Sequence, residues 1–462
     1  MRWFLPVLIA CAEADERASR QDPSEPTAPP GAENVLIVVI DDIGIDKIGA
    51  YGKHAEAPPT PVMDALAAEG VRFEYAYAHP TCTPTRAALL TGQYASRSEL
   101  GSWIEPWSSD ARLDPMSLTL PRVVATSPDH AWSNAAVGKW HLAGFLTDSP
   151  GDHPLACGFS THSGSLANPS NAIEPQDDEP RGYFRWEKSI DGELTWSDRY
   201  MTTDTVDDAI VLAETLAEPW LLYVAFNAAH TPLHVPPQRL LAHSLPDTPS
   251  DAEIFDAMVT ALDTELGRLL TAIDTVTAAP VTTMLIGDNG TPSHAIRPPL
   301  DPARSKGTVA EGGVRVPFIV AGPRVGLPGA VARTPVHVVD VLPTVAAIAG
   351  VSPGTLTDAA GQPWLVDGLD LTPILADPET TDARLLYSEM FSPNGPPPWS
   401  SFARTLRDAE YKLIETPNAY AFFRLNEGLD EGDDLLPLGL DPAEQAAFES
   451  LQESLGTIAP SW

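Results

Sequence analysis

The chain has little cysteine, little lysine and no long apolar run. Three cysteines in 462 residues are too few for a disulfide scaffold, and Cys11 stands near the start, which leaves Cys82 and Cys157. A bridge between those two is not expected, because Cys82 has a chemical reading, given below. Lysine occurs at six positions, Lys47, Lys53, Lys139, Lys188, Lys306 and Lys412. Basic residues total 28 against 63 acidic ones, a formal net charge of −35. Such a surface repels nucleic acid and anionic lipid headgroups and argues against both as partners. No segment after the first eleven residues is apolar enough to cross a bilayer. What the chain does have is 43% hydrophobic residues, enough for a sizeable core, and a length that suits one large α/β domain with a smaller companion.

The first eleven residues carry one positive charge, Arg2, and then a short apolar run ending Leu8-Ile9-Ala10-Cys11. That ending resembles the bacterial lipobox, in which the cysteine is lipidated, and the run is too short to persist as a membrane-spanning helix. Residues 12–33 are rich in Ala, Glu, Asp, Ser and Pro without apolar period and read as a disordered tether. The expectation is an exported bacterial protein, periplasmic or on the cell surface, that meets a membrane only through a lipid anchor at Cys11.

Five apolar runs read as buried strands: Val35–Ile40, Ala135–Val137, Trp220–Phe226, Val281–Ile286 and Val316–Val320. They are rich in β-branched residues and alternate little, as parallel strands covered on both faces do. Between them lie helical patterns over 205–217, 255–273 and 337–349, the second carrying Phe255, Met258, Val259, Leu262, Leu266, Leu269, Leu270 and Ile273 at 3–4 spacing. Strand–helix alternation predicts an α/β fold with a large, mostly parallel sheet sandwiched by helices. After about residue 380 the pattern becomes short strand-like pieces, Leu385–Glu389 and Tyr411–Ile414 among them, so residues 34–380 are assigned to the large domain. Residues 381–462 are assigned to a small C-terminal α+β subdomain with an antiparallel sheet, and its acidic stretch Glu427–Asp434 reads as loop.

Polar clusters follow directly on the apolar strands. Val35–Ile40 runs into Asp41-Asp42, Ala135–Val137 into Gly138-Lys139-Trp140-His141, Trp220–Phe226 into Asn227 and His230, and Val281–Ile286 into Gly287-Asp288-Asn289. In open α/β sheets, sites form beyond the carboxyl ends of the strands, so parallel strands bring these clusters to one edge. Asp41, Asp42, Asp288 and Asn289 then offer three carboxylates and an amide. Unpaired carboxylates this close repel one another; a bound cation removes that cost, and oxygen-only ligands select a hard ion, Ca²⁺ or Mg²⁺. Taken alone, Asp-Asp is most often a solvated strand end and Asp-Asn-Gly a turn; their joint placement after two apolar strands favours the site. In Cys82-Thr83-Pro84-Thr85-Arg86-Ala87-Ala88-Leu89-Leu90-Thr91-Gly92, Thr83 suits an N-cap, Pro84 the first helical position and Gly92 the end. Cys82 is thereby expected at a helix N-terminus, which favours an anion, with Arg86 one turn into that helix.

Cys-Thr-Pro-Thr-Arg followed by Ala-Ala-Leu-Leu-Thr-Gly resembles the Cys-x-Pro-x-Arg signature of the type I, formylglycine-dependent sulfatases, members of the alkaline phosphatase-like superfamily. Asn34–Gly52 is similar to that family's first strand and metal loop, Gly138–His141 to its Gly-Lys-Trp-His motif, His230–His234 to its His-x-Pro segment, and Gly287–Gly290 to its Asp-Asn-Gly. Lys306–Thr308 with Glu311–Pro317 is similar to its Lys-Gly…Glu-Gly-Gly-x-Arg-x-Pro block. The likeness covers residues 34–350, with weaker echoes to about 415. Thr85 stands where serine is commoner, Ala131-Trp132 where Gly-Tyr is frequent, and Ile286-Gly287 where Thr-Ser is frequent; none of these removes a group with an assigned role.

The resemblance implies an alkaline phosphatase-like fold and hydrolysis of a sulfate monoester, aryl or carbohydrate. It implies that a separate formylglycine-generating enzyme oxidises Cys82 to an aldehyde, which hydrates to a gem-diol. Asp41, Asp42, Asp288, Asn289 and an oxygen at position 82 would hold calcium, with magnesium the alternative. One diol oxygen would attack sulfur. Lys139, His141, His230 and Lys306 would surround the developing charge and Arg86 would hold the diol and the metal shell in place, a protonated His230 with Lys306 protonating the departing alcohol and His141 deprotonating the second hydroxyl to expel sulfate. His54, His153 and His337 are expected to be ordinary core or surface histidines, and His234 is left out because Pro232 makes a regular helix with His230 unlikely. The alternatives are a phosphodiesterase or phosphonate monoester hydrolase of the same superfamily and, less favoured, a non-catalytic lipoprotein that binds sulfated glycans. Trp103, Trp107, Trp186 and Trp196 lie in irregular segments and either stack on a substrate ring or simply pack.

Overall fold

Val35, Ile37 and Val39 face one side of strand β1 (Asn34–Ile40), Leu36, Val38 and Ile40 face the other, and all six are fully buried. A strand apolar on both faces needs a cover on each side, and the computed structural model supplies it. It describes residues 28–174, 181–382, 384–425 and 428–458. Cys11 with its lipobox reading, and the tether as far as residue 27, lie outside the described residues. Among those described, no helix is long and apolar enough to cross a membrane.

The remaining strands are β2 (Val71–Phe73), β3 (Ala76–Tyr77), β4 (Ser133–Gly138), β5 (His162–Gly164), β6 (Trp186–Ile190), β7 (Glu193–Ser197), β8 (Trp220–Ala225), β9 (Val281–Gly287), β10 (Phe318–Ala321), β11 (Ala330–Ala332), β12 (Val336–His337), β13 (Leu386–Ser392), β14 (Ser401–Arg407), β15 (Tyr411–Thr416) and β16 (Ala419–Arg424). Among the described residues the main sheet has ten strands in the order β11-β2-β10-β9-β1-β8-β4-β5-β6-β7. Its centre is parallel: β1 lies between β8 and β9, with Ile37 opposite Tyr223 and Met284, and β4 joins β8. The run Val316–Val320, expected among the parallel strands, is instead β10, antiparallel to β9 with Phe318 opposite Ile286. A parallel neighbour needs a crossover that carries the chain back to the starting end. The segment between β9 and β10 has only short helical turns, such as Ser293–Ala295 and Glu311–Val314. It stays at the carboxyl edge of the sheet, and the chain re-enters from there.

Helices Pro61–Glu69, Met201–Thr215 and Asp251–Val276 cover one face, with Met63, Val206, Phe255 and Leu262 in its core; Cys82–Thr91, Leu120–Val124 and Val341–Ile348 cover the other, with Leu89, Val123 and Leu342. The 255–273 pattern extends to Asp251 because Ser250 caps it. Its Oγ accepts from Glu253 N at 3.3 Å while Glu253 Oε2 accepts from Ser250 N at 2.8 Å. The C-terminal sheet, β13 to β16, is antiparallel, and the helix Pro442–Ile458 lays Leu451 and Leu455 on it. A buried ion pair joins it to the main domain: Lys412 Nζ lies 3.0 Å from Glu311 Oε1 and 3.0 Å from Glu431 Oε1. Glu431, in the acidic stretch expected as plain loop, is therefore an interior ion-pair partner.

Burial holds the imidazole of His79 down to about 3, and those of His153 and His162 to about 4, against 6.5 in an open chain. Above 6.5 neither state binds the proton. Below it the unfolded chain does and the folded one does not, so stability falls with pH until the folded values are reached. The expected loss between 6.5 and about 5.5 is roughly 1 kcal/mol per histidine. His162→Asn should flatten the decline of the urea midpoint with falling pH; an unchanged slope would contradict the assignment.

Candidate active site

The loops that leave β1, β8 and β9 are stitched to one another. Asp41 N donates to Ala228 O at 3.1 Å, Ala229 N to Asp41 O at 2.8 Å, and Asp288 N to Ile40 O at 3.1 Å. After β4 the backbone turns sharply: Gly138 has φ +88°, and a Cβ there would lie 2.0 Å from Ala225 O. That close approach lets Lys139 N donate to Ala225 O at 2.7 Å. Asp42 and His141 adopt φ +65° and +55°, a conformation non-glycine residues hold only where the surroundings force it, as active sites commonly do.

Asp41, Asp42 and Asp288 present oxygens within 4.8 Å of one another, all buried. Three cations answer them. Arg86 grips Asp288 Oδ2 through Nε at 3.1 Å and Nη2 at 2.8 Å and donates from Nη1 to Lys139 O at 2.9 Å. Lys139 Nζ lies 2.5 Å from Asp41 Oδ2, and Lys306 pairs with Asp42. Burial and then Asp288 push the Asp41 carboxyl well up. Burial also works on Asp42, but Lys306, His230 and Lys139 outweigh it and hold that carboxyl well below the usual range. Asn289 Nδ2 donates to Asp42 Oδ1 at 2.9 Å. That leaves Asn289 Oδ1 and Asp41 Oδ1, both buried, with no hydrogen-bond partner. Two orphaned oxygens beside three clustered carboxylates fit a hard cation, and all four donors are oxygens. Among the described residues no other group of acids, histidines or cysteines is gathered this way.

Cys82 opens the helix Cys82–Thr91, with Thr81 as its N-cap. The start is two residues earlier than expected, so Thr83 is not the cap and Pro84 not the first residue. Helices tolerate this because the first N–H groups lack intrahelical partners, so Pro84 removes nothing. Thr83 is used otherwise: its hydroxyl donates to His141 O at 3.0 Å and accepts from Ile104 N at 3.1 Å. Cys82 Sγ lies 3.3 Å from His141 Nδ1, and His141 Nε2 lies 3.1 Å from Ile104 O. A carbonyl only accepts, so Nε2 carries the proton and Nδ1 turns its lone pair to position 82. Burial, then Lys139 and Arg86, keep His141 neutral, well below its ordinary value.

Above this bed is a cavity of about 240 Å³ lined by Thr81, Cys82, Trp103, His141, Asn168, His230 and Lys306. Of the residues expected from sequence, Cys82, His141, His230 and Lys306 line the cavity, while Asp41, Asp42, Asp288, Asn289, Arg86 and Lys139 pack together beneath, linked through Lys306 and Asp42. His230 Nε2 is 4.0 Å from Asp42 Oδ2, and burial with Lys139 holds its ring neutral. His234 hydrogen-bonds Tyr200 and packs against the Tyr183 ring at a tilt, and it does not line the cavity. Thr81 and Asn168 were not anticipated. Each has a buried side-chain oxygen without a partner, Thr81 Oγ1 and Asn168 Oδ1, at the cavity wall. Of the four tryptophans named, Trp103 lines the cavity; Trp186 is core, Trp107 packs edge-on to Phe145, and Trp196 sits under Arg185.

The family model described as Sulfatase matches residues 33–351. Arylsulfatase J of Mus musculus is 29% identical over 346 residues, 73% of this chain and 55% of that protein, so the chain spans about half the length of that relative. Arylsulfatase A of Bos taurus is 30% identical over 366 residues, 74% of this chain and 67% of that protein. Among solved structures, Ps i-CgsB superposes with a TM-score of 0.75 at 23% identity, covering 93% of this chain and 94% of that one, a likeness of fold.

Proposed function

The chain belongs to the sulfatase family, and on that premise we propose that it hydrolyses sulfate monoesters, aryl or carbohydrate, at Cys82 after oxidation of that cysteine to formylglycine. The observation that carries the reading is the meeting of Cys82 with His141, His230 and Lys306 in one cavity above the Asp41, Asp42 and Asp288 carboxylates. Asp41, Asp42, Asp288 and Asn289, joined by an oxygen at position 82, would hold one calcium ion. When bound, it supplies a positive centre that polarises a sulfate oxygen. A hydrated aldehyde at position 82 supplies two hydroxyls on one carbon, one to attack and one to release the product.

The chain's own groups do the rest. Lys139 pairs with Asp41 and Lys306 with Asp42, so binding an ion and binding the lysines would be competing tasks for these two carboxylates. Lysines released from carboxylates are free to bind sulfate oxygens. Arg86 stays with Asp288 and fixes that carboxylate. His141, neutral with Nδ1 toward position 82, accepts a proton there. His230, which lines the cavity with Lys306, would have to take up a proton before delivering one to the departing alcohol, and the Asp42 carboxylate 4.0 Å away favours that protonated form. Maturation would need a formylglycine-generating enzyme, and the Leu8–Cys11 segment supports export with a lipid anchor.

Assay of the matured protein on aryl sulfate, aryl phosphate and phosphonate esters tests the reading, with sulfate expected to be turned over preferentially. Faster cleavage of the phosphorus esters would move the chain to the phosphodiesterase or phosphonate hydrolase alternative. A second readout needs no substrate: calcium at about a hundred times its Kd should stabilise the protein by roughly 2.7 kcal/mol. An unchanged melting temperature would remove the cation from the account.

A further inference from the structure

A second cleft of about 370 Å³ adjoins the catalytic cavity and shares Trp103 with it. Its wall is formed by Trp103, Met390, Phe391, Phe402 and Ala403, with serine hydroxyls and Glu105 at the margins. Phe391 is buried and stacks on Trp399 at 3.7 Å between ring centres, while the Trp103 indole is 47% exposed.

The geometry is held from both sides. Toward the catalytic cavity, Ile104 N donates to Thr83 Oγ1 beside Cys82, and Ile104 O faces His141 Nε2. Toward the C-terminal sheet, Phe391 N donates to Gly101 O at 3.1 Å and Ser102 N to Asn394 Oδ1 at 3.0 Å. A Cβ on Gly101 would lie 2.3 Å from the Phe391 ring, so glycine is what lets this segment lie flat on the strand. Trp103 is oriented by its own hydrogen bond, Nε1 to Glu105 Oε1 at 2.8 Å. The 101–105 segment thus spans from the reacting residues to β13 and β14, with one indole forming a wall of each space.

We propose that this cleft is the leaving-group subsite and that it takes an uncharged aromatic ring, stacked on Trp103 with its far edge against Phe391 and Phe402. The inference rests on the sulfatase reading for the chemistry at position 82, but the ring site stands on its own geometry. No lysine or arginine lines the cleft, and the one charge there, Glu105, is negative. A second sulfate on the substrate would meet no counter-ion, and the acidic chain adds to the repulsion. A sugar ring would need several hydrogen-bonding partners, yet Glu105 Oε1 is engaged by Trp103 and Ser102 by Asn394, which leaves chiefly the Ser392 and Ser401 hydroxyls against a wall of aromatic and aliphatic side chains. Aromatic faces reward a flat apolar ring instead.

Two measurements test this. The first is equilibrium binding of 2-naphthol, the alcohol product of 2-naphthyl sulfate, to the full chain with unmodified Cys82, where no turnover intervenes. Trp103→Ala should weaken it about ten-fold and Trp103→Phe should restore most of it. The second is kinetics on matured enzyme: Trp103→Ala should raise KM for 2-naphthyl sulfate about ten-fold while kcat changes much less. Equal naphthol binding by wild type and Trp103→Ala would overturn the subsite, as would higher kcat/KM on a glucosamine 6-sulfate or a disulfated sugar than on 2-naphthyl sulfate. Naphthol binding that depends on Trp103, in a protein that cleaves no sulfate ester, would uphold the ring site and sink the hydrolase reading instead.

Discussion

Cys82→Ala is expected to lower sulfate ester hydrolysis by at least about 10⁴-fold, the scale on which removal of a nucleophile acts. The protein should fold as before. Cys82 is small, its Sγ meets His141 Nδ1 at 3.3 Å, and alanine suits the first position of the Cys82–Thr91 helix. Cys82→Ser separates the nucleophile from the chemistry of release. A serine oxygen in the same place has one hydroxyl, so an ester formed on it has no second hydroxyl on the same carbon to expel the sulfate. Rapid quench should find at most one equivalent of alcohol per enzyme, followed by no further turnover. Steady turnover by the serine variant at a tenth of the wild-type rate would refute the role given to position 82.

Asp288→Ala should produce the second largest effect, and in two observables at once. Asp288 Oδ2 accepts both Nε and Nη2 of Arg86, a guanidinium with no exposed surface, and its remaining carboxylate neighbour, Asp41, is 3.8 Å away. Removing one partner of a buried pair leaves the other charge uncompensated, which costs about 3–5 kcal/mol. One effect opposes this: Asp288 raises the Asp41 pKa, so its loss relieves some repulsion there. The relief concerns one partly compensated carboxylate, whereas Arg86 loses two hydrogen bonds, so the net sign is destabilising. The same change takes an oxygen from the cation set and should cut activity by at least about 10³-fold. Calorimetry with and without calcium reads both parts: a lower melting temperature for the variant, and a calcium-induced rise present in wild type and absent in Asp288→Ala. A variant as stable as wild type, or one that responds equally to calcium, contradicts the geometry assigned to this carboxylate.

The parts of this molecule that were legible in the sequence are those where one local rule decides. β1 reads as a two-faced strand because six consecutive residues are apolar, and Asp41-Asp42 follows at the only end where a parallel sheet leaves room. Cys82 reads as a helix opening because Pro84 and the Ala87–Leu90 run leave few other choices, although the helix begins two residues earlier than the pattern predicts. Proline at the third position costs no more than at the first, so the pattern alone does not separate them. The direction of β10 was not legible, since an apolar run looks the same in either sense; what decides it is the missing crossover helix before Phe318. Thr81 and Asn168 carry no pattern in sequence, and they emerge only because their oxygens are buried without partners at the cavity wall. Trp103 was visible as one of four tryptophans but could not be told from Trp186, which is core, until Gly101 and Asn394 fixed its loop beside β13.

The most direct test is the mass of the peptide containing residue 82, taken from enzyme that is turning over sulfate ester. Oxidation to formylglycine replaces the thiol by an aldehyde and makes the peptide about 18 Da lighter than the cysteine form. The account predicts that the lighter peptide is present and that its fraction tracks specific activity across preparations. Full activity in protein whose residue 82 is entirely unmodified cysteine would contradict it.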